Sequence, residues 1–169
     1  MQKDTKEKFI RGKTRIKYGG AVVDHKELFA IQKVLKRNWW TLDAEGDLFE
    51  KELAKKANTK FALFTNSGSS ALFLAILSLQ LPPGSEIIIP AVNFPTLVSP
   101  CLLVGLIPVY VDIDLNTLCL DMDKAARAIT KKTRAIAVVN IAGNTIDVSK
   151  LKPFKERGIG ERAVRINEF

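Results

Sequence analysis

The sequence predicts an α/β fold, on two observations. Four short stretches, "FALF" (61–64), "EIIIP" (86–90), "IPVYVDID" (107–114) and "RAIAVV" (134–139), are largely apolar in successive residues. Such runs suit strands covered on both faces, as in a parallel sheet. Segments with helical periodicity and turn residues lie between them. Strands alternating with helices imply right-handed crossover connections.

The elements follow in order. Residues 1–20 form an arm without clear period, closed by Gly19-Gly20. Asp24 and Glu27 have capping-box spacing, and Leu28, Ile31 and Leu35 mark one face of a first helix. The stretch "NWWTLDAEG" breaks that pattern, and Phe49, Leu53 and Ala57 recur as the face of a second. After the "FALF" strand, Ser70–Leu79 reads as an apolar helix, and Pro82-Pro83-Gly84 as a turn before "EIIIP". Pro95–Val104 is a short helix with Pro95 in its first turn and Gly105 beyond its end, although Pro100 interrupts it. Asp121–Thr130 and Val148–Arg157 are the remaining helices, with Gly158 closing the last.

Composition narrows the function classes. A chain of 169 residues, 47% hydrophobic, is long enough for one globular domain. No apolar run reaches the length of a bilayer span, and a polar, basic start replaces a signal peptide. Cys101 and Cys119 lack metal or redox spacing, which fits a reducing, cytoplasmic setting. The only histidine, His25, falls on a surface helix and reads as structural. The net charge of +8 resides in the ends: residues 1–17 hold seven Lys/Arg against two acids, and residues 150–169 six against three. The body between them is neutral, which argues against nucleic-acid binding.

The turn "TNSGSS" (65–70) carries the strongest chemical signal. It joins a predicted strand to a helix, where ligands of open parallel sheets bind. A helix start offers unpaired N–H groups and a positive dipole end, and both suit a phosphate. Gly68 lets a backbone approach closely, and the Ser69 and Ser70 hydroxyls add donors. Neither G-x-x-x-x-G-K-[ST] nor G-x-G-x-x-G occurs, so a single phosphate fits better than a triphosphate or dinucleotide. On these residues alone, a phosphate cradle and a plain serine cap both remain open.

Five stretches resemble the DegT family of nucleotide-sugar aminotransferases and dehydratases dependent on pyridoxal 5'-phosphate (PLP). They are Arg15–Gly20, "NWWTLDAEGDLFEKELAKK", "TNSGSSALFLAI", "IIIPAVNFPTLVSPCLLVGLIPVYVDID" and "KKTRAIAVVNIAGNTIDVSKL", in family order over about residues 9–157. The resemblance implies the N-terminal portion of the large domain of an aspartate-aminotransferase-type fold over residues 21–157, its sheet mostly parallel and flanked by helices. It implies a homodimer with a nucleotide-sugar substrate, in cell-surface polysaccharide or deoxysugar biosynthesis. It places Gly68, Ser69 and Ser70 on the cofactor phosphate and Phe94 over the pyridine ring. It puts Trp39 and Trp40 in the segment lining the substrate entrance, with Trp40 as the candidate contact. Indoles equally suit a loop packed on a domain.

Two departures qualify these expectations. Asn140 stands where the family commonly has His, and Gly143-Asn144-Thr145 replaces a "GNP" or "GAP" motif, so no group there titrates. Residues 158–169 form an atypical tail, "GIGERAVRINEF", without the run of four apolar residues that a buried strand needs. A truncation or a shifted reading frame is the expectation there. The Asp that holds the pyridinium nitrogen and the Schiff-base residue have no recognisable counterpart, and no catalytic or metal-binding residue is assigned. That Schiff-base residue is Lys in the aminotransferase branch and His in the 3-dehydratase branch, towards which "NFPT" and "GN" lean. An inactive fragment or partner subunit is the competing reading.

Overall fold

The computed structural model describes residues 10–15, 23–159 and 164–167. The predicted N-terminal arm lies mostly outside them. The chain divides into two compact units, residues 1–62 and 63–169.

The first unit holds α1 (His25–Arg37) and α2 (Ala44–Ala57). The predicted capping box is formed: Asp24 Oδ1 accepts from the Lys26 amide at 2.7 Å, and Glu27 Oε2 from the Asp24 amide at 2.8 Å. Both helices end in a left-handed asparagine, Asn38 and Asn58, a conformation Asn tolerates better than most residues. The predicted apolar face of α1 is exposed rather than buried, at Leu28, Ile31 and Leu35 alike.

The second unit is built on a parallel sheet of order β2-β1-β3-β4. Its strands are β1 (Glu86–Pro90), β2 (Ile107–Val111), β3 (Thr133–Asn140) and β4 (Val164–Asn167). Strand periodicity divides the core in two. Ile87, Ile89, Ala135, Ala137 and Val139 face α3 (Gly68–Ser78) and α4 (Val98–Leu103). Ile88, Ile136 and Val138 face α5 (Met122–Arg127) and α6 (Lys152–Glu156). Each fully buried isoleucine contributes about 1.5–3 kcal/mol. The chain steps from β1 to β2 on one side, then crosses to β3 on the other. That reversal puts a switch point at β1, where open α/β sheets bind their ligands.

Four sequence expectations are corrected. "FALF" is not a strand: it has no ladder partner in the described sheet, and Phe61 and Leu63 are well exposed. An apolar run marks a strand only where a neighbouring strand completes its hydrogen bonds. The third predicted strand, now β2, is only partly buried, with Ile107 and Tyr110 exposed and Val111 buried, because it forms an edge of the described sheet. Pro95–Val104 is a 3-10 turn over Pro95–Leu97 followed by α4, since Pro100 has no N–H to extend a regular ladder. The tail does contain a strand: β4 pairs in parallel with β3 from Ala137↔Val164 to Asn140↔Asn167. An edge strand needs backbone pairing and alternation, as in Val-Arg-Ile-Asn, rather than the continuous apolar run expected of a central one.

Candidate functional site

The start of α3 is built by side-chain hydrogen bonds. Helix α3 begins at Gly68, two residues earlier than its apolar pattern indicates, because Ser67 caps it. Ser67 Oγ accepts the Ser70 amide at 3.2 Å and donates to Ser70 Oγ at 3.0 Å. Thr65 Oγ1 donates to the Ser67 carbonyl at 2.8 Å, which fixes the approach to the cap. The sequence pattern points to Ser69 and Ser70, and the structure adds Ser67 as the cap. Its signal was a serine directly before Gly68 with an acceptor-hungry amide three residues on.

The cap leaves specific donors free for other work. The Gly68 and Ser69 amides are the first two of the helix and have no intrahelical partner. Ser70 Oγ already accepts from Ser67, so its own proton is available to an acceptor in front of the helix. A Cβ built on Gly68 meets no atom within 4 Å, so the space before it is open.

Helix α3 runs down into the turn that begins β1, which places its start at the carboxyl end of that strand. There Ser69 and Ser70 share a groove of about 480 Å³ with Thr96 and Ser99, floored by Phe73 and Leu74. None of its lining residues carries a charge. Phe94 follows β1 in this same region and is 63% exposed. Its backbone is extended, at φ −79° and ψ 136°, as the following Pro95 requires. Thr96 and Ser99 were not singled out from sequence, since isolated hydroxyls in a helix-forming stretch carry no pattern.

The remaining candidates belong to other elements. Trp40 belongs to the first unit, 75% exposed, with Nε1 donating to Asn38 Oδ1 at 3.2 Å. His25 occupies the first turn of α1. Asn140 ends β3, only 4% exposed, and its Oδ1 accepts the Ile146 amide at 3.3 Å. It thereby ties down the turn in which Ala142 and Gly143 both take positive φ. Both cysteines are buried, and burial pushes the Cys101 thiol up to about 11, so it stays protonated. Among the described residues, no group of three or more His, Cys, Asp or Glu side chains could hold a metal ion.

A parallel α/β sheet with an uncharged, hydroxyl-rich helix start beyond its switch point defines an α/β protein suited to a monophosphate ligand. The chain belongs to the DegT/DnrJ/EryC1/StrS aminotransferase family, which it matches over residues 22–158. It is 34% identical over 157 residues to the lipopolysaccharide biosynthesis protein RfbH of Salmonella typhimurium, covering 88% of this chain and 36% of that protein. It is 37% identical over 139 residues to a GDP-4-keto-6-deoxy-D-mannose 3-dehydratase of Yersinia pseudotuberculosis, covering 79% and 35%. The solved E. coli GDP-4-keto-6-deoxy-D-mannose-3-dehydratase with bound hydrated PLP superposes with a TM-score of 0.81 at 33% identity, covering 89% of this chain and 39% of that one. The chain thus spans roughly a third of the length of these curated relatives.

Proposed function

We propose that this chain forms the phosphate- and ring-binding part of a PLP-dependent enzyme that acts on a nucleotide-linked keto-deoxy sugar. The observation that carries this reading is the start of α3, whose free amides and hydroxyls face open space in a chain of this family. The donor set fits the cofactor's phosphate: two amides, two hydroxyls and the positive end of a helix, with room before Gly68. Phe94, exposed beyond β1, supplies a flat apolar face for the pyridine ring. When bound, PLP supplies the electron sink for bond cleavage next to a substrate carbon. The residues described here hold and orient it, and the group that bonds to it covalently is not assigned among them.

The relatives fall in both branches, sugar aminotransferases and 3-dehydratases; amino transfer to the sugar ketone is the leading reading, with removal of a C3 hydroxyl as its alternative. The similarity to RfbH supports a place in cell-surface polysaccharide synthesis. The exposed apolar face of α1 supports a homodimer, because such a face is stabilised by burial against a second copy. Two buried free thiols fit a cytoplasmic, reducing setting.

The test is a PLP titration of the full chain, followed by absorbance and fluorescence, with pyridoxal as the phosphate-free comparison. Saturable binding of PLP but not pyridoxal supports the reading. Equal binding of the two would overturn the phosphate cradle.

A further inference from the structure

We infer that Asn93 is the positioning residue that presents Phe94 to the cofactor ring, an inference that rests on the stacking reading above. Asn93 Nδ2 donates to the Pro90 carbonyl at 2.6 Å, closing the turn that leaves β1. The amide has one workable orientation, since the reverse would set Oδ1 against the Pro90 carbonyl oxygen. On one side the Ala91 amide donates to the Val111 carbonyl at 2.8 Å, anchoring this turn to the end of β2. On the other, the Leu97 amide donates to the Phe94 carbonyl at 3.0 Å, and Pro95 restricts Phe94 to extended backbone. Phe94 is therefore exposed on a backbone held at both ends. A bulky ring kept in solvent by three hydrogen bonds is pre-organised to receive a flat partner.

A second observation supports a dedicated role. Asn93 Oδ1 is buried and has no hydrogen-bond partner among the described residues. A buried unsatisfied acceptor is unfavourable, and threonine or serine could occupy the turn without one. The clasp to Pro90 is the compensating interaction. What it holds in place is the Phe94 backbone, so its effect on ligand binding is exerted through that ring.

The experiment compares PLP with inorganic phosphate on the full chain, in Phe94→Leu, Asn93→Ala, Asn93→Asp and Asn93→Thr variants. Stacking acts only on the ring-bearing ligand. Asn93→Ala and Asn93→Asp, which lack the donor, are expected to weaken PLP about 2- to 10-fold, as Phe94→Leu does, and to leave phosphate affinity unchanged. Asn93→Thr removes the unsatisfied acceptor but carries its hydroxyl nearer the backbone than Nδ2, out of reach of the Pro90 carbonyl, and should therefore behave like Asn93→Ala. In the Asn93→Ala, Phe94→Leu double variant the losses should not add. If Phe94→Leu weakens PLP and the Asn93 variants do not, the positioning role is wrong while stacking stands. If Phe94→Leu itself has no effect, the stacking reading fails and takes this inference with it. Equal loss of PLP and phosphate in Asn93→Ala would mark a general unfolding of the site and also overturn the proposal.

Discussion

Ser67 caps α3 by accepting the Ser70 amide at 3.2 Å, and the same oxygen donates to Ser70 Oγ at 3.0 Å. One hydroxyl thus completes the helix and orients its neighbour. The two readings left open by the sequence, cap and cradle, need not compete, because the cap is Ser67 and the proposed cradle is Ser69 and Ser70. Ser67→Ala is expected to lower stability by about 1 kcal/mol, the usual loss for an N-cap, as read from the urea midpoint. Ser69→Ala combined with Ser70→Ala should leave that midpoint nearly unchanged. It should instead weaken PLP by about 1–3 kcal/mol, the range for lost hydrogen bonds to a charged group. The reverse pattern, with stability lost and binding kept, would place the cradle elsewhere.

Two glycines separate ligand access from backbone strain. Gly105 has φ +77°, and a Cβ there would lie 3.1 Å from Pro83 Cβ. Gly68 has no positive φ, and a Cβ there meets nothing within 4 Å. Gly105→Ala is therefore expected to destabilise by about 1 kcal/mol or more, through both strain and crowding. Gly68→Ala should fold at least as well as the parent, since Ala is the better helix former. It should nevertheless bind PLP more weakly, because the methyl group occupies the open space before the amides. Thermal unfolding and a PLP titration on both variants check the contrast.

The sequence made the parallel sheet legible where burial and pattern coincide. Ile87–Ile89 and Ala135–Val139 are central, closely buried on both faces, and their apolar runs say so directly. The same logic failed at the edges. "FALF" has the composition of a strand without the pairing of one, and Val164–Asn167 has the pairing without the composition. Strand identity depends on a neighbour's backbone, which no local pattern contains. At the site, the small-residue turn could be found because a glycine and serine cluster directly before an apolar helical stretch marks a helix start. Asn93 could not, since its importance lies in a 2.6 Å contact to a carbonyl three residues back.

Across the sheet from the site, Thr133 closes the turn that begins β3. It is 1% exposed, its Oγ1 accepts the Thr130 amide at 2.9 Å, and it donates to Glu86 Oε2 at 3.1 Å. Thr130 Oγ1 donates to the same carboxylate oxygen, so Glu86 ties β1 to this turn. Thr133→Val keeps the shape and removes both bonds. It is expected to cost about 1–3 kcal/mol, because the Thr130 amide loses its acceptor. Thr133→Ser, which keeps the hydroxyl, should cost less. A Val variant as stable as the parent in urea would show that this network contributes nothing net.

The last expectation concerns acid. Asp121 caps α5, its Oδ1 accepting the amides of Asp123 and Lys124, each at 3.0 Å. The hydrogen bond from the Lys124 backbone is the main cause that holds its carboxyl below the ordinary 3.8, helped by the Asp123 amide and the Lys124 charge. Lys124 in turn is raised, chiefly by its 3.1 Å bond to Asp112. Because the folded value of Asp121 is depressed, the unfolded chain takes up this proton first as pH falls. Its contribution to stability is therefore fully present above about 3.8 and is lost as pH drops through the lowered folded value. Asn is as good a cap as Asp but does not titrate in this range. Asp121→Asn should therefore fold nearly as stably as the parent when protonated carboxyls predominate. Near neutral pH it should be the less stable of the two, having lost the attraction to Lys124. Urea midpoints measured for both proteins from neutral pH down through this window give the comparison. Two curves that stay parallel throughout would mean that Asp121 ionises alike in the folded and unfolded chains, and its cap would then owe nothing to charge.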